Sequence, residues 1–280
     1  MSDKRISIWL VLLLVMFSTN PVQAAESAPQ RIITLSPHLA EIVYLLGAGD
    51  QLLGVAEYSD FPHQVKKIQR IGGATGLDIE RILSIKPDLI LAWQGGTRES
   101  DIVNLKKLGL RVVSIKSESL EDIPESINIL GELLNRQQRS SKLISEFNKH
   151  RKQIFEKYRN LPAHRFFIEI SSQPLMALSN RHSFGAGLGL CNLENIYADE
   201  DKAAILVDLE SIISRDVEFV LLRNSVADND LELAARKSFY KIKDGNMAEI
   251  VSFDEDAAFR QTPRLLDAVE KVCQAVQGEN

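Results

Sequence analysis

Two fifteen-residue stretches, DIERILSIKPDLILA from Asp78 and DLESIISRDVEFVLL from Asp208, align without a gap at a constant offset of 130 residues. Five positions are identical: Asp78 with Asp208, Glu80 with Glu210, Ile82 with Ile212, Ser84 with Ser214 and Leu91 with Leu221. Most of the others exchange one aliphatic residue for another. Each stretch reads as a short helix running into a strand. Ile79, Ile82 and Leu83 in one, and Leu209, Ile212 and Ile213 in the other, fall at i, i+3, i+4 and form a face to be buried. Glu80 and Glu210 stand about 100° past the first of these positions and point outward. Any two helix-to-strand units share part of this pattern; the alternative is that these are equivalent elements of two related lobes, each presenting one carboxylate. A carboxylate near a helix start also stabilises the helix electrostatically, so a structural role for the two glutamates stays open beside a docking role.

The rest of the chain fits two α/β lobes. Ile32 to Leu35 predicts a strand, and Ser36 with Pro37 opens a helix carrying Leu39, Ile42, Val43 and Leu46 before Gly47 stops it. Leu52 to Ala56, Leu89 to Trp93 and Arg111 to Ile115 are further strands, separated by helices over Ile79 to Ile85 and Glu99 to Leu108. Alternation of this kind predicts a parallel sheet. Ile123 to Tyr158 reads as one or two connecting helices, ended by Pro162. A second strand set follows at Arg165 to Ser171, Leu175 to Leu178, Phe219 to Leu222 and Glu249 to Phe253, and a last helix runs from Pro263 to about Val276. The expected domains are 25–122, a helical connection over 123–160, and 161–280.

Residues 1–24 read as a signal peptide. Lys4 and Arg5 precede an apolar run from Ile6 to Phe17, and Val22, Gln23 and Ala24 form a small-x-small exit, with cleavage expected after about Ala24. A run of twelve residues is too short to span a bilayer as a helix. Export makes the even pair Cys191 and Cys273 a disulfide, closing a loop of 82 residues. A hydrophobic content of 45% supplies one large core or two smaller ones, which excludes a disordered chain. The formal charge of −5, with no basic run, argues against a nucleic-acid partner.

Catalytic motifs are thin. The GAGLG run from Gly185 lacks the register of a dinucleotide fingerprint, and no GxSxG, HExxH or P-loop pattern occurs. Glu255 and Asp256 belong to an acidic run that reads as a solvated loop. His38 falls in the first turn of its helix, where a neutral imidazole could coordinate cobalt or iron axially; a surface or capping role is commoner for a single histidine, and Glu41 on the same face does not complete a metal site.

The blocks RIITLSPHLAEIVYLLGAGDQLLGVAEYSDFP and GLDIERILSIKPDLILAWQGG, with the PRLLDAVEKVC tail, resemble the periplasmic cobalamin-binding proteins of bacterial ABC importers, within the wider family that carries iron-siderophores, haem and corrinoids. The resemblance implies two Rossmann-like lobes joined by a long backbone helix, with the ligand cleft between them. It implies a non-catalytic periplasmic receptor, monomeric, without a catalytic cofactor, whose cargo is cobalamin or another corrinoid and whose partner is a permease dimer with its ATPase. Carried over by position, Tyr58, Trp93, Asp256, Ala257, Ala258, Phe259 and Arg260 would contact the ligand. Glu80 and Glu210 would dock into arginine pockets of the permease, and Cys191 and Cys273 match the family disulfide.

One departure bears on the cargo. Ala74, Ala204, Ala257 and Ala258 stand where relatives tend to carry aromatic residues, and each ring lost removes roughly 150–250 Å² of contact. A receptor for haem or a ferric siderophore is therefore the nearest alternative, although Arg98 and Arg260 are few for an anionic siderophore. An exported metal-dependent enzyme is the distant one.

Overall fold

The computed structural model describes residues 28–240 and 248–278, so the expected signal peptide lies outside the described residues. In the N-terminal lobe the strands are β1 (Ile32–Thr34), β2 (Leu52–Val55), β3 (Gln69–Arg70), β6 (Leu89–Gln94) and β7 (Val112–Lys116), with a small hairpin of β4 (Gly72–Gly73) and β5 (Gly76–Leu77) beside them. The five main strands run parallel in the order β3-β2-β1-β6-β7. Parallel strands buried on both faces favour apolar side chains throughout, which is why Ile32 and Ile33 of β1 and most of β6 are aliphatic. The helices of this lobe are α1 (Pro37–Leu45), α2 (Ile79–Ile85) and α3 (Glu99–Lys107).

The C-terminal lobe repeats the plan. Its strands are β8 (His164–Ser172), β9 (Leu175–Leu178), β10 (Leu193–Asn195), β11 (Ala204–Leu206), β12 (Phe219–Arg223) and β13 (Glu249–Phe253), ordered β11-β9-β8-β12-β13 with β10 also on β8. The triplet β8-β12-β13 is parallel, as is β1-β6-β7. At the other side of the sheet β9 runs antiparallel to β8, and the edge strand β11 antiparallel to β9. Helix α7 (Leu209–Ser214) precedes β12 just as α2 precedes β6. The aspartates shared by the two stretches cap these helices: Asp78 accepts from the Arg81 N–H at 3.0 Å and Asp208 from the Ser211 N–H at 2.7 Å.

Ile82 and Ile212 are buried as expected, but Leu83 is 40% exposed, which corrects the expected burial face. Helix α2 has only seven residues, and it meets the sheet through Ile79, Ile82 and Ile85 at i, i+3, i+6, leaving Leu83 on the flank.

Two helices connect the lobes, α4 (Asp122–Leu133) and α5 (Gln137–Tyr158). At 1.5 Å per residue the 22-residue α5 is about 33 Å long. Ser140 of α5 lies so close to α4 that a Cβ on Gly131 would meet its Oγ at 2.4 Å. Farther along, His150 bonds Glu270 of α11 (Arg264–Gln277) at 2.8 Å. One apolar cluster includes Ile32 and Leu91 of the first lobe, Phe147 and Ile154 of α5, and Phe166, Val251 and Val269 of the second. Cys191 and Cys273 form a disulfide, their Cα atoms 5.8 Å apart, tying α11 to the turn after α6 (Ser183–Gly187).

The remaining helices α8 (Asn224–Ala227), α9 (Asp230–Phe239) and α10 (Glu255–Ala258), with the short strands β3, β4, β5, β10 and β11, have no counterpart in the sequence expectations. Strands of two or three residues carry too little alternation to register as a pattern.

Candidate functional site

In parallel sheets the loops beyond the carboxyl ends of the strands converge on one edge, where ligands bind. In this protein two such edges meet. Arg260, beyond β13, bonds the Tyr58 carbonyl at 3.1 Å and Asp60 at 2.6 Å, both beyond β2. Ser183 donates to the carbonyl of Glu118, beyond β7, at 2.9 Å.

The first wall of the cleft is built on Trp93 near the end of β6. Its backbone N–H donates to Thr97 Oγ1 at 3.0 Å, and its indole N–H donates to the Ser117 carbonyl at 3.2 Å. The His38 ring stands edge-on, 5.2 Å away. Gly96 passes so close that a Cβ there would lie 1.8 Å from the indole. The ring is thus fixed on several sides before any ligand arrives. A hollow of about 160 Å³ opens beside it, lined by Pro37, Tyr58, Ala74, Trp93, Thr97 and Arg98 among others. Tyr58, at a left-handed φ of 63°, projects its ring from this rim and is 82% exposed. A wider depression of about 750 Å³, involving Arg151, Phe155 and Leu190, lies against α5.

The second wall carries a row of rings: His182 to Phe259 at 5.7 Å, Phe259 to Phe253 at 5.5 Å, and Phe253 to Phe184 at 4.9 Å. Phe259 is half-buried and Asp256 is exposed. Ala257 and Ala258, expected beside the ligand, are buried within the apolar cluster, because their helix α10 turns that face inward. Ala74 and Ala204 are exposed, and the offset of 130 residues relates these two positions also.

Between the walls lies a charged junction. Arg260, expected to bond the ligand, is largely buried and engaged with Asp60, Asp256 and the Tyr58 carbonyl. Beside it Glu41 of α1 is fully buried and accepts from Thr262 at 2.7 Å and from Arg264 at 2.8 and 3.1 Å. The Arg264 guanidinium also lies 3.7 Å from the Phe61 ring centre. Sequence reasoning placed Glu41 on the same helix face as His38 and missed Thr262 and Arg264. These partners lie more than 220 residues from Glu41, and no local pattern announces them.

His38 is buried with its Nε2 unbonded and closed to solvent. Burial, with the Arg260 charge adding to it, lowers its pKa to about 3, so the imidazole is neutral. Burial also lowers the His182 pKa to about 4. Among the described residues no group of three or more His, Cys, Asp or Glu is arranged to hold a metal ion. Glu80 and Glu210 are both exposed, one on each lobe, two positions after their capping aspartates.

Two α/β lobes, a bridging helix and a cleft at the carboxyl edges of both sheets define a two-lobed ligand-binding protein. The family model described as periplasmic binding protein matches residues 32–244, and the chain belongs to that family. It is 28% identical over 265 residues to the vitamin B12-binding protein of Vibrio cholerae serotype O1, covering 94% of this chain and 95% of that one. It is 30% identical over 264 residues to the vitamin B12-binding protein of Yersinia pseudotuberculosis, covering 94% and 91%. Among solved structures, the periplasmic vitamin B12 binding protein BtuF of Vibrio cholerae superposes with a TM-score of 0.78 at 27% identity, covering 90% and 99% of the two chains. The periplasmic heme-binding protein RhuT from Roseiflexus sp. RS-1 shares the fold, with a TM-score of 0.78 at 18% identity, covering 90% and 98%. Among the described residues no helix is long and apolar enough to cross a membrane.

Proposed function

We propose that this protein is a non-catalytic, monomeric periplasmic receptor that captures a corrinoid, with cobalamin as its cargo, and delivers it to an ABC permease dimer with its ATPase. The observation that carries this reading is the pre-set aromatic cleft: an indole immobilised by Ser117, Thr97 and Gly96, an exposed phenol at Tyr58, and the half-buried ring of Phe259 on the facing lobe. A broad macrocycle with an amide periphery gains affinity from rigid apolar surface, and fixed rings lose little entropy when it binds. The similarity to vitamin B12-binding proteins over nearly the whole chain supports the same cargo. Glu80 and Glu210, exposed one per lobe, would orient the loaded receptor on the permease.

Haem is the second reading, favoured by Tyr58, whose exposed phenol could serve as an axial iron ligand. Trp93 and Trp9 are the only tryptophans, and Trp9 falls in the expected signal peptide, so indole fluorescence of the processed chain reports the cleft. Titration with cyanocobalamin, cobinamide, haemin and a ferric siderophore, corrected for inner-filter absorption and checked by calorimetry, tests the assignment. Saturable binding of corrinoids alone is expected. Tight binding of haemin without heat from either corrinoid would replace the cargo.

A further inference from the structure

The offset of 130 residues that relates the two lobes also pairs the ends of two equivalent strands, each next to the edge of its sheet: Trp93 of β6 corresponds to Arg223, the last residue of β12. The alternation agrees. Leu89 and Leu91 belong to the apolar cluster shared by both lobes, and Trp93 packs against it; Phe219 and Leu221 belong to the same cluster, and Arg223 is the next residue on their face of β12. Where one lobe sets an indole, the other sets a guanidinium. Arg223 pairs in parallel register with Phe253, whose ring packs on Phe259. That places it on the C-terminal wall beside the aromatic row, at the edge that Arg260 and Ser183 bring against the first lobe.

Its charge is unmatched. Arg98 is paired with Asp101 at 2.9 Å, and Arg260 is engaged with Asp60 and Asp256. Arg223 is half-buried, and among the described residues its side chain has no hydrogen-bond or ion-pair partner. Partial burial of an unpaired charge is unfavourable, and in a chain of net charge −5 a stray carboxylate would be an easy remedy. A guanidinium left open at a binding wall is instead suited to receive phosphate or carboxylate oxygens through its planar fork.

We propose that Arg223 is a specificity-determining residue of the cleft that selects ligands bearing a phosphate or carboxylate on the edge presented to the second lobe. This rests on the corrinoid reading: among corrinoids it would favour those that retain the phosphodiester of the nucleotide loop over those without it. A charge-assisted contact of this kind corresponds to about a ten- to hundredfold preference.

Calorimetry of the wild type, Arg223→Gln and Arg223→Lys against cyanocobalamin and dicyanocobinamide, at low and high salt, tests the assignment, with circular dichroism melts confirming that the variants fold. The wild type should favour cyanocobalamin by about ten- to hundredfold, less at high salt. Arg223→Gln should weaken cyanocobalamin alone and remove the preference, while Arg223→Lys keeps part of it. Equal weakening of both ligands by Arg223→Gln, or no change in either, would overturn the proposal and leave the corrinoid reading standing. A wild type that binds neither ligand would overturn that reading and the proposal with it.

Discussion

Removing the Glu41 carboxylate should loosen the junction between the lobes. Glu41 is fully buried on α1, and all three of its hydrogen bonds go to Thr262 and Arg264 of the other lobe. Glu41→Ala leaves the buried Thr262 hydroxyl unpaired, at a cost of about 1 kcal/mol or more. It also strands the Arg264 guanidinium, whose side chain is 22% exposed, against the Phe61 face alone. Because water still reaches Arg264, the second loss falls toward the low end of the several kcal/mol typical of a broken buried pair, so the two together come to about 3–4 kcal/mol. In a chain of this size that corresponds to a melting temperature lower by about 10 °C. Glu41→Gln, which keeps the volume and an acceptor for Thr262, should lose about half as much. The double variant Glu41→Gln with Arg264→Met removes both charges and should be more stable than the sum of the single losses by about 2 kcal/mol. Urea denaturation followed by far-ultraviolet circular dichroism and by Trp93 emission reads all of these. A loss below about 1 kcal/mol for Glu41→Ala, or strict additivity in the cycle, would refute the reasoning that this contact couples the lobes.

His38 is neutral in the fold with a pKa of about 3, against about 6.5 when unfolded, so the unfolded chain binds more protons between those values and stability falls as pH drops below 6.5. The contribution at pH 5 is a loss of about 2 kcal/mol. The difference in urea midpoint between pH 7 and pH 5 should shrink in His38→Phe, and an unchanged difference would count against the burial argument. Gly96→Ala should push the Trp93 indole from its seat, shifting its emission and weakening cyanocobalamin binding at least ~tenfold, since the added methyl would meet the ring at 1.8 Å. Unaltered emission and affinity would mean that Gly96 does not hold the ring. Glu80→Ala combined with Glu210→Ala should cut cobalamin uptake by cells while calorimetric affinity stays constant; undiminished uptake would remove the docking role.

What the sequence determined by itself is the local design repeated in each lobe. Apolar runs and helical spacing located the principal strands and helices to within about a residue, because those signals depend on neighbours one strand or one turn away. The shared Asp78 and Asp208 mark helix starts, and Glu80 and Glu210 point outward, for the same local reason. The resemblance then gathered Tyr58, Trp93, Phe259 and Arg260 into one expected site. Tertiary structure decided what each of them can do. Arg260 is committed to Asp60 and Tyr58 some 200 residues away, Glu41 is a partner of Arg264 instead of an open carboxylate, and α10 turns Ala257 and Ala258 inward. His38 becomes a neutral neighbour of the indole because burial in the assembled fold lowers its pKa, with the Arg260 charge from the other lobe adding to it. Burial and long-range pairing arise from the way two separately patterned lobes pack together, and the periodicity within either lobe carries no record of which side chain it will meet on the other.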